Sequence, residues 1–154
     1  MSVHPPRIVL DSNVCLDLFA FADPAVAPLL HALRDGRVRA VTDAACRDEW
    51  LRVIEYPKLG LDAALREACR RDYDGLFELH ADAAAPETAL PRCADPDDQK
   101  FLELAHAAQA RWLLSRDHAL LVLGRRTARA GLFDILTPRA WVALQALHAE
   151  ASPR

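Results

Sequence analysis

The chain has 154 residues, 52% of them apolar, enough for one domain over 1–154 that removes roughly 70% of its unfolded surface from water. Nineteen basic against 22 acidic residues leave a net charge of −3, so no global positive excess marks a dedicated nucleic-acid binder, and local patches must carry that case. No apolar run approaches the roughly 20 residues of a membrane span, and MSVHPPRIVL lacks the regions of a signal peptide, so a cytoplasmic protein without a membrane partner is expected.

Ile8, Val9 and Leu10 read as a short buried strand, with Asp11 immediately after it. Apolar residues at three- and four-residue spacing predict helix over 14–35, with Pro24 as a breaker. VRAV (38–41) reads as a second strand, and helix is expected over 43–56, with Thr42 as its cap and Pro57 beyond it. On that helix Cys46, Glu49, Trp50 and Val53 share one face, while Arg47, Asp48, Arg52 and Glu55 occupy the other. A carboxylate on the core stripe needs a cation, a proton or a place at its edge; an arginine salt bridge and a metal site are the two readings. Helix over 62–74, a strand at FELH (77–80) and a loop at 81–96 follow.

In CADPDDQKFLELA, Asp95 suits an N-cap, Pro96 the first helical position, and Asp98 the reciprocal position of a capping box. Asp98 also lies three and seven residues before Phe101 and Ala105, on the buried side of a helix over 97–109, whereas Asp97 points to solvent. WLLS (112–115) is a fourth strand, followed by Arg116, Asp117 and helix over 117–123. Arg125, Arg126 and Arg129 form the densest basic patch, with Arg66, Arg70 and Arg71 another; each is a solvated helix face or a phosphate contact. DILT (134–137) and helix over 138–149 complete the pattern.

Strands alternating with helices imply an α/β fold with a parallel sheet covered on both faces. In such sheets ligands bind outside the carboxyl ends of the strands, near the point where strand order reverses. Asp11 and Asp117 satisfy that filter and Asp134 lies at the wrong end, while Asp43 and Asp82 are expected to be capping or solvated. Cys15, Cys46, Cys69 and Cys93 lack zinc-ligand spacing and read as reduced, mostly buried thiols. The histidines offer no general base, although His118 adjoins Asp117. Neither Gly-x-Gly nor Gly-Lys-Ser/Thr occurs, and Asn13 stands where an aspartyl-nucleophile phosphatase needs a second acid.

If Asp11, Glu49, Asp98 and Asp117 converge, each pair of carboxylates about 4 Å apart repels by about 4 kcal/mol at an effective dielectric of about 20. Oxygen ligands without His or Cys favour Mg²⁺ or Mn²⁺, with Ca²⁺ suited to a larger and less rigid cluster. The natural reaction class is phosphodiester hydrolysis.

The stretches IVLDSN (8–13), DEWLRVIEYPKL (48–59), DPDDQKFLELA (95–105), LLSRDHALL (113–121) and ILTPRAW (135–141) together resemble a PIN domain over residues 7–141, within it the stand-alone bacterial toxins of toxin-antitoxin pairs. The resemblance implies a three-layer α/β/α sandwich around a parallel sheet of about five strands, and a Mg²⁺- or Mn²⁺-dependent ribonuclease leaving 5′-phosphate and 3′-hydroxyl ends. Its acidic quartet falls on Asp11, Glu49, Asp98 and Asp117, with Asn13, Ser115 and Asp95 in supporting positions. Arg116, next to Asp117, reads either as a contact to substrate phosphate or as a surface arginine. Ser12 stands where Thr is usual and SRD where TGD is frequent; neither departure removes a carboxylate. RNA is the implied substrate, a small antitoxin protein and a second copy in a homodimer the implied partners. The competing reading is an idle PIN-like fold that binds RNA or a protein without cleaving.

Overall fold

Five short strands lie parallel in one sheet in the computed structural model, which describes residues 4–81 and 89–151. They are β1 (Arg7–Leu10), β2 (Arg39–Thr42), β3 (Phe77–Leu79), β4 (Trp112–Leu114) and β5 (Asp134–Leu136), in the spatial order β3-β2-β1-β4-β5. Ile8 is level with Ala40 on one side and with Trp112 on the other. Because successive strand residues point to opposite faces, Ile8, Leu10, Ala40, Trp112 and Leu114 enter one core cluster, and Val9, Val41 and Leu113 enter a second.

Helices cover both faces. On the first lie α1 (Ser12–Cys15), α2 (Ala27–Arg34), the Trp50 end of α3 (Ala44–Val53), α4 (Ala63–Leu76) and α8 (Pro138–Ala151). Phe19, Trp50, Tyr73 and Phe77 pack ring against ring there, and Trp141 of α8 meets Trp112 edge-on with centroids 5.6 Å apart. The second face is covered by α5 (Gln99–Ala107), α6 (His118–Leu121) and α7 (Gly124–Arg129), through Phe101, Leu104, Leu120 and Leu123 among others. The result is the expected three-layer α/β/α arrangement. All four cysteines are free and buried. Among the described residues no single helix is long and apolar enough to cross a membrane.

Several elements differ from expectation. The helix expected over 14–35 is divided: α1 runs into a π turn (Leu16–Ala20), Ala22 takes φ +48, and a 3-10 turn (Pro24–Val26) precedes α2. Pro24 cannot donate to a continuing ladder, and Asp23 instead accepts the Ala25 N–H at 3.0 Å. The cap of α3 is Asp43, which accepts from the Cys46 N–H at 2.9 Å; the Thr42 hydroxyl is engaged with Tyr73 at 2.5 Å. Helix α7 is anticipated only by the helix-face reading of Arg125, Arg126 and Arg129, because Thr127 is its only buried residue and no apolar stripe announces it. Its first residue explains how it fits: a Cβ on Gly124 would lie 3.2 Å from the Ile135 carbonyl oxygen. Helix α5 begins at Gln99, after a separate 3-10 turn (Pro96–Asp98). Asp82 lies outside the described residues.

Candidate metal centre

Strand order reverses between β1 and β4, and the Asp11 N–H donates to the Leu114 carbonyl at 3.0 Å, so the residues leaving the two strands emerge side by side. Asp11 is buried, and its Oδ2 accepts from the Ser115 hydroxyl at 2.7 Å and from Asn13 Nδ2 at 3.3 Å. Ser115 Oγ also accepts the Asp117 N–H at 2.9 Å, so one buried hydroxyl sets the positions of two acids. Burial lifts the Asp11 carboxyl above its ordinary range; the Ser115 hydrogen bond opposes that rise, and the Glu49 and Asp117 charges add to it. Asp117 caps α6 through Oδ1, which accepts from the Ala119 N–H at 3.0 Å.

Glu49 is held from two directions. Its Oε2 accepts from the Ser12 hydroxyl at 2.6 Å, and its Oε1 lies 2.8 Å from Lys100 Nζ of α5. Lys100 also donates to the Asp97 carbonyl oxygen. The ion pair that a carboxylate on the core stripe called for therefore exists, but its cation is a lysine and not an arginine.

Asp98 sits at the entry to α5, 7% exposed, and makes no capping bond. Among the described residues its buried Oδ2 has no hydrogen-bond partner. Burial first, then Asp117, Asp11 and Asp95, push its carboxyl up to about 8. Asp95 is exposed and caps the preceding turn through the Asp97 N–H at 3.0 Å, yet Asp95, Asp98 and Asp117 each offer an oxygen within 4.8 Å of the others. A buried oxygen without a donor, set among other carboxylates, is the environment that a hard divalent cation relieves. No His or Cys belongs to this group, which fits Mg²⁺ or Mn²⁺ better than zinc.

One cleft of about 290 Å³ gathers Asp11, Asn13, Glu49, Asp98 and Asp117, together with Ser12, Leu16, Val53, Tyr56, Lys58 and Leu59. All four acids expected to converge thus line a single opening, and Asp95 joins them through Asp98 and Asp117. Arg116 turns away from it. Its Nε lies 2.9 Å from Asp17 Oδ2, its Nη2 donates to the Asn13 carbonyl at 3.3 Å, and it lines a neighbouring cleft with Asp17, Asp23, Thr137 and Arg139. Arg125 and Arg126 are exposed on α7 and line neither cleft. Arg66 and Arg70 pair with Glu55 and Glu67, as residues of a solvated helix face do.

Sequence reasoning missed Ser12, Asp17, Tyr56, Lys58 and Lys100 as parts of this region. Lys100 carried a faint signal, being one of only two lysines and two residues after Asp98. Ser12 adjoins Asp11 in sequence, but its bond to Glu49, like the place of Tyr56 and Lys58 in the cleft, is created by the packing of α1, α3 and the turn after α3, and Asp17 enters only through its ion pair with Arg116.

A family model for the PIN domain matches residues 7–119. No curated protein matches the chain.

Proposed function

The chain belongs to the PIN domain family, and on that premise we propose that it is a cytoplasmic Mg²⁺- or Mn²⁺-dependent endoribonuclease, the toxin of a toxin-antitoxin pair. The observation that carries the nuclease reading is the convergence of Asp11, Glu49, Asp98 and Asp117 on one cleft, with Asp98 Oδ2 buried and, among the described residues, unpartnered. Those four residues would hold the ion, with the Asp95 carboxylate near those of Asp98 and Asp117. When bound, a divalent cation supplies charge neutralisation at the phosphoryl group, a more acidic water and stabilisation of the leaving oxygen.

The protein's own part is positioning. Ser115 and Asn13 orient Asp11, the Ser115 hydroxyl and the α6 cap orient Asp117, and Ser12 with Lys100 orients Glu49. Such supports hold the carboxylates near reacting geometry before substrate arrives. In the overall step water adds to phosphorus, the bond from phosphorus to O3′ breaks, and the proton lost by water ends on O3′. The products are 5′-phosphate and 3′-hydroxyl ends.

Incubation of the purified chain with an RNA pool and Mg²⁺ or Mn²⁺, alongside Asp11→Asn and Asp98→Asn, tests this. Cleavage is expected from the parent and lost in both variants; equal cleavage by all three would sink the mechanism. One observation favours the other reading, a fold that binds RNA or a protein without cutting: Lys100 already neutralises Glu49 at 2.8 Å. Calorimetry without a Mg²⁺ or Mn²⁺ binding isotherm would select it. The toxin assignment predicts arrested growth when this chain is expressed alone, relieved by a small antitoxin from the adjacent reading frame.

A further inference from the structure

The cleft that holds the acids is also lined by residues that the hydrolytic chemistry does not use. Tyr56, Lys58 and Leu59 belong to that lining, together with the apolar Leu16 and Val53. Tyr56 is 45% exposed, unlike Tyr73, whose ring is stacked in the core at 3%. The turn that carries Tyr56 is self-contained: its N–H donates to the Val53 carbonyl at 3.1 Å, and its carbonyl accepts from the Leu59 N–H at 3.0 Å. Pro57 starts the 3-10 turn (Pro57–Leu59), and Gly60 closes it at φ +65, a conformation that L side chains rarely adopt. The backbone is therefore committed while the ring is not.

Lys58 is exposed, and among the described residues it pairs with no carboxylate, in contrast to Lys100. A single exposed ring means little. An exposed ring and a free cation in the same cleft as four carboxylates make one surface with three properties: a site for a phosphoryl group, a face for a base and a charge for the next phosphate.

We propose that Tyr56 and Lys58 form the substrate platform of this cleft, Tyr56 stacking an unpaired base next to the scissile phosphate and Lys58 contacting a flanking phosphate, so that the substrate is a single strand. A base inside a duplex keeps both faces covered by its neighbours and has none to offer the ring. The proposal rests on the nuclease reading for the position of the phosphate, and names the substrate form that this site accepts.

The test is fluorescence anisotropy with a short fluorescein-labelled oligoribonucleotide, its DNA counterpart and the same sequence as a duplex. Binding is read in an Asp98→Asn background so that cleavage does not intervene, and KM and kcat are read in the parent. Tyr56→Ala is expected to weaken single-strand binding about 10-fold, within the range of one base–aromatic stack, and to raise KM more than it lowers kcat. Tyr56→Phe and Tyr56→Trp, which keep the ring, bind as the parent does. Lys58→Ala lowers the slope of log K against log salt by about 0.7.

Equal binding of duplex and single strand, parent-like binding by Tyr56→Ala, the same loss in Tyr56→Phe, or no binding at all overturns the platform. DNA bound as tightly as RNA supports it and shows that sugar is not read here. The two readings fail separately: ring-dependent binding by a chain that never cleaves removes only the nuclease, and cleavage indifferent to Tyr56 removes only the platform.

Discussion

Asp98 carries an electrostatic conflict: a buried carboxylate whose Oδ2 lacks a donor among the described residues, beside Asp117, Asp11 and Asp95. Its carboxyl is pushed from an ordinary 3.8 to about 8, so between those values the folded chain binds a proton that the unfolded chain has released. Stability contributed by this group is thus present at low pH and lost as pH rises through about 8. In the presence of a chelator, the melting temperature is expected to fall across that window, and Asp98→Asn is expected to flatten the fall while abolishing Mn²⁺ binding. A parent melting profile rising from pH 5 to pH 8 would contradict this (those settings being roughly the ends of the useful range). Asp95 separates two roles that share one side chain. Asparagine caps as well as aspartate does, so Asp95→Asn should leave thermal stability unchanged while Mn²⁺ affinity measured by calorimetry drops about 10-fold. Unchanged affinity would leave Asp95 as a cap alone. At this scale residue type and spacing were informative for Asp98 and Glu49, because each lies on an apolar stripe where a charge needs a reason. They were silent on the bond from Ser12 to Glu49 and only faint on Lys100, because both partners of Glu49 reach it from other elements.

The elements follow a similar division. Strands β1 and β4 are legible because a strand buried on both faces is a continuous apolar run, and α3, α4 and α5 because each has a stripe at helical spacing. Helix α7 has no stripe; it lies against β5 through the missing side chain of Gly124, and its one buried residue, Thr127, donates its hydroxyl to the Gly124 carbonyl. Caps also turn on contacts outside the element. Thr42 has the right chemistry to cap α3, but Tyr73 of α4 engages its hydroxyl and Asp43 takes the role. Asp43→Ala should therefore cost about 1 kcal/mol in denaturant unfolding. A larger loss from removing the hydroxyl of Thr42 than from Asp43→Ala would show that the Tyr73 bond matters more to the fold than the cap does.

Across the whole molecule, β5 and α8 lie beyond residue 119, where the family match ends, yet they complete the sheet and close one of its faces. Trp141 is 2% exposed and packs on Trp112. Trp141→Ala is expected to cost about 3–5 kcal/mol, read as a lower midpoint at unchanged slope in a denaturant titration. A loss near zero would mean that α8 is dispensable to the core. The alternation of apolar runs and stripes by itself determined a parallel sheet with helices on both sides, since no other arrangement buries both faces of such strands. It also determined which acids stand at carboxyl ends or on buried stripes. Only the tertiary structure decided that β1 and β4 are neighbours at the reversal of strand order, that Lys100 and not an arginine meets Glu49, and that Tyr56 and Lys58 share the acids' cleft. Periodicity along a chain reports which side of an element is buried; which elements then face each other is set by packing between residues far apart in sequence.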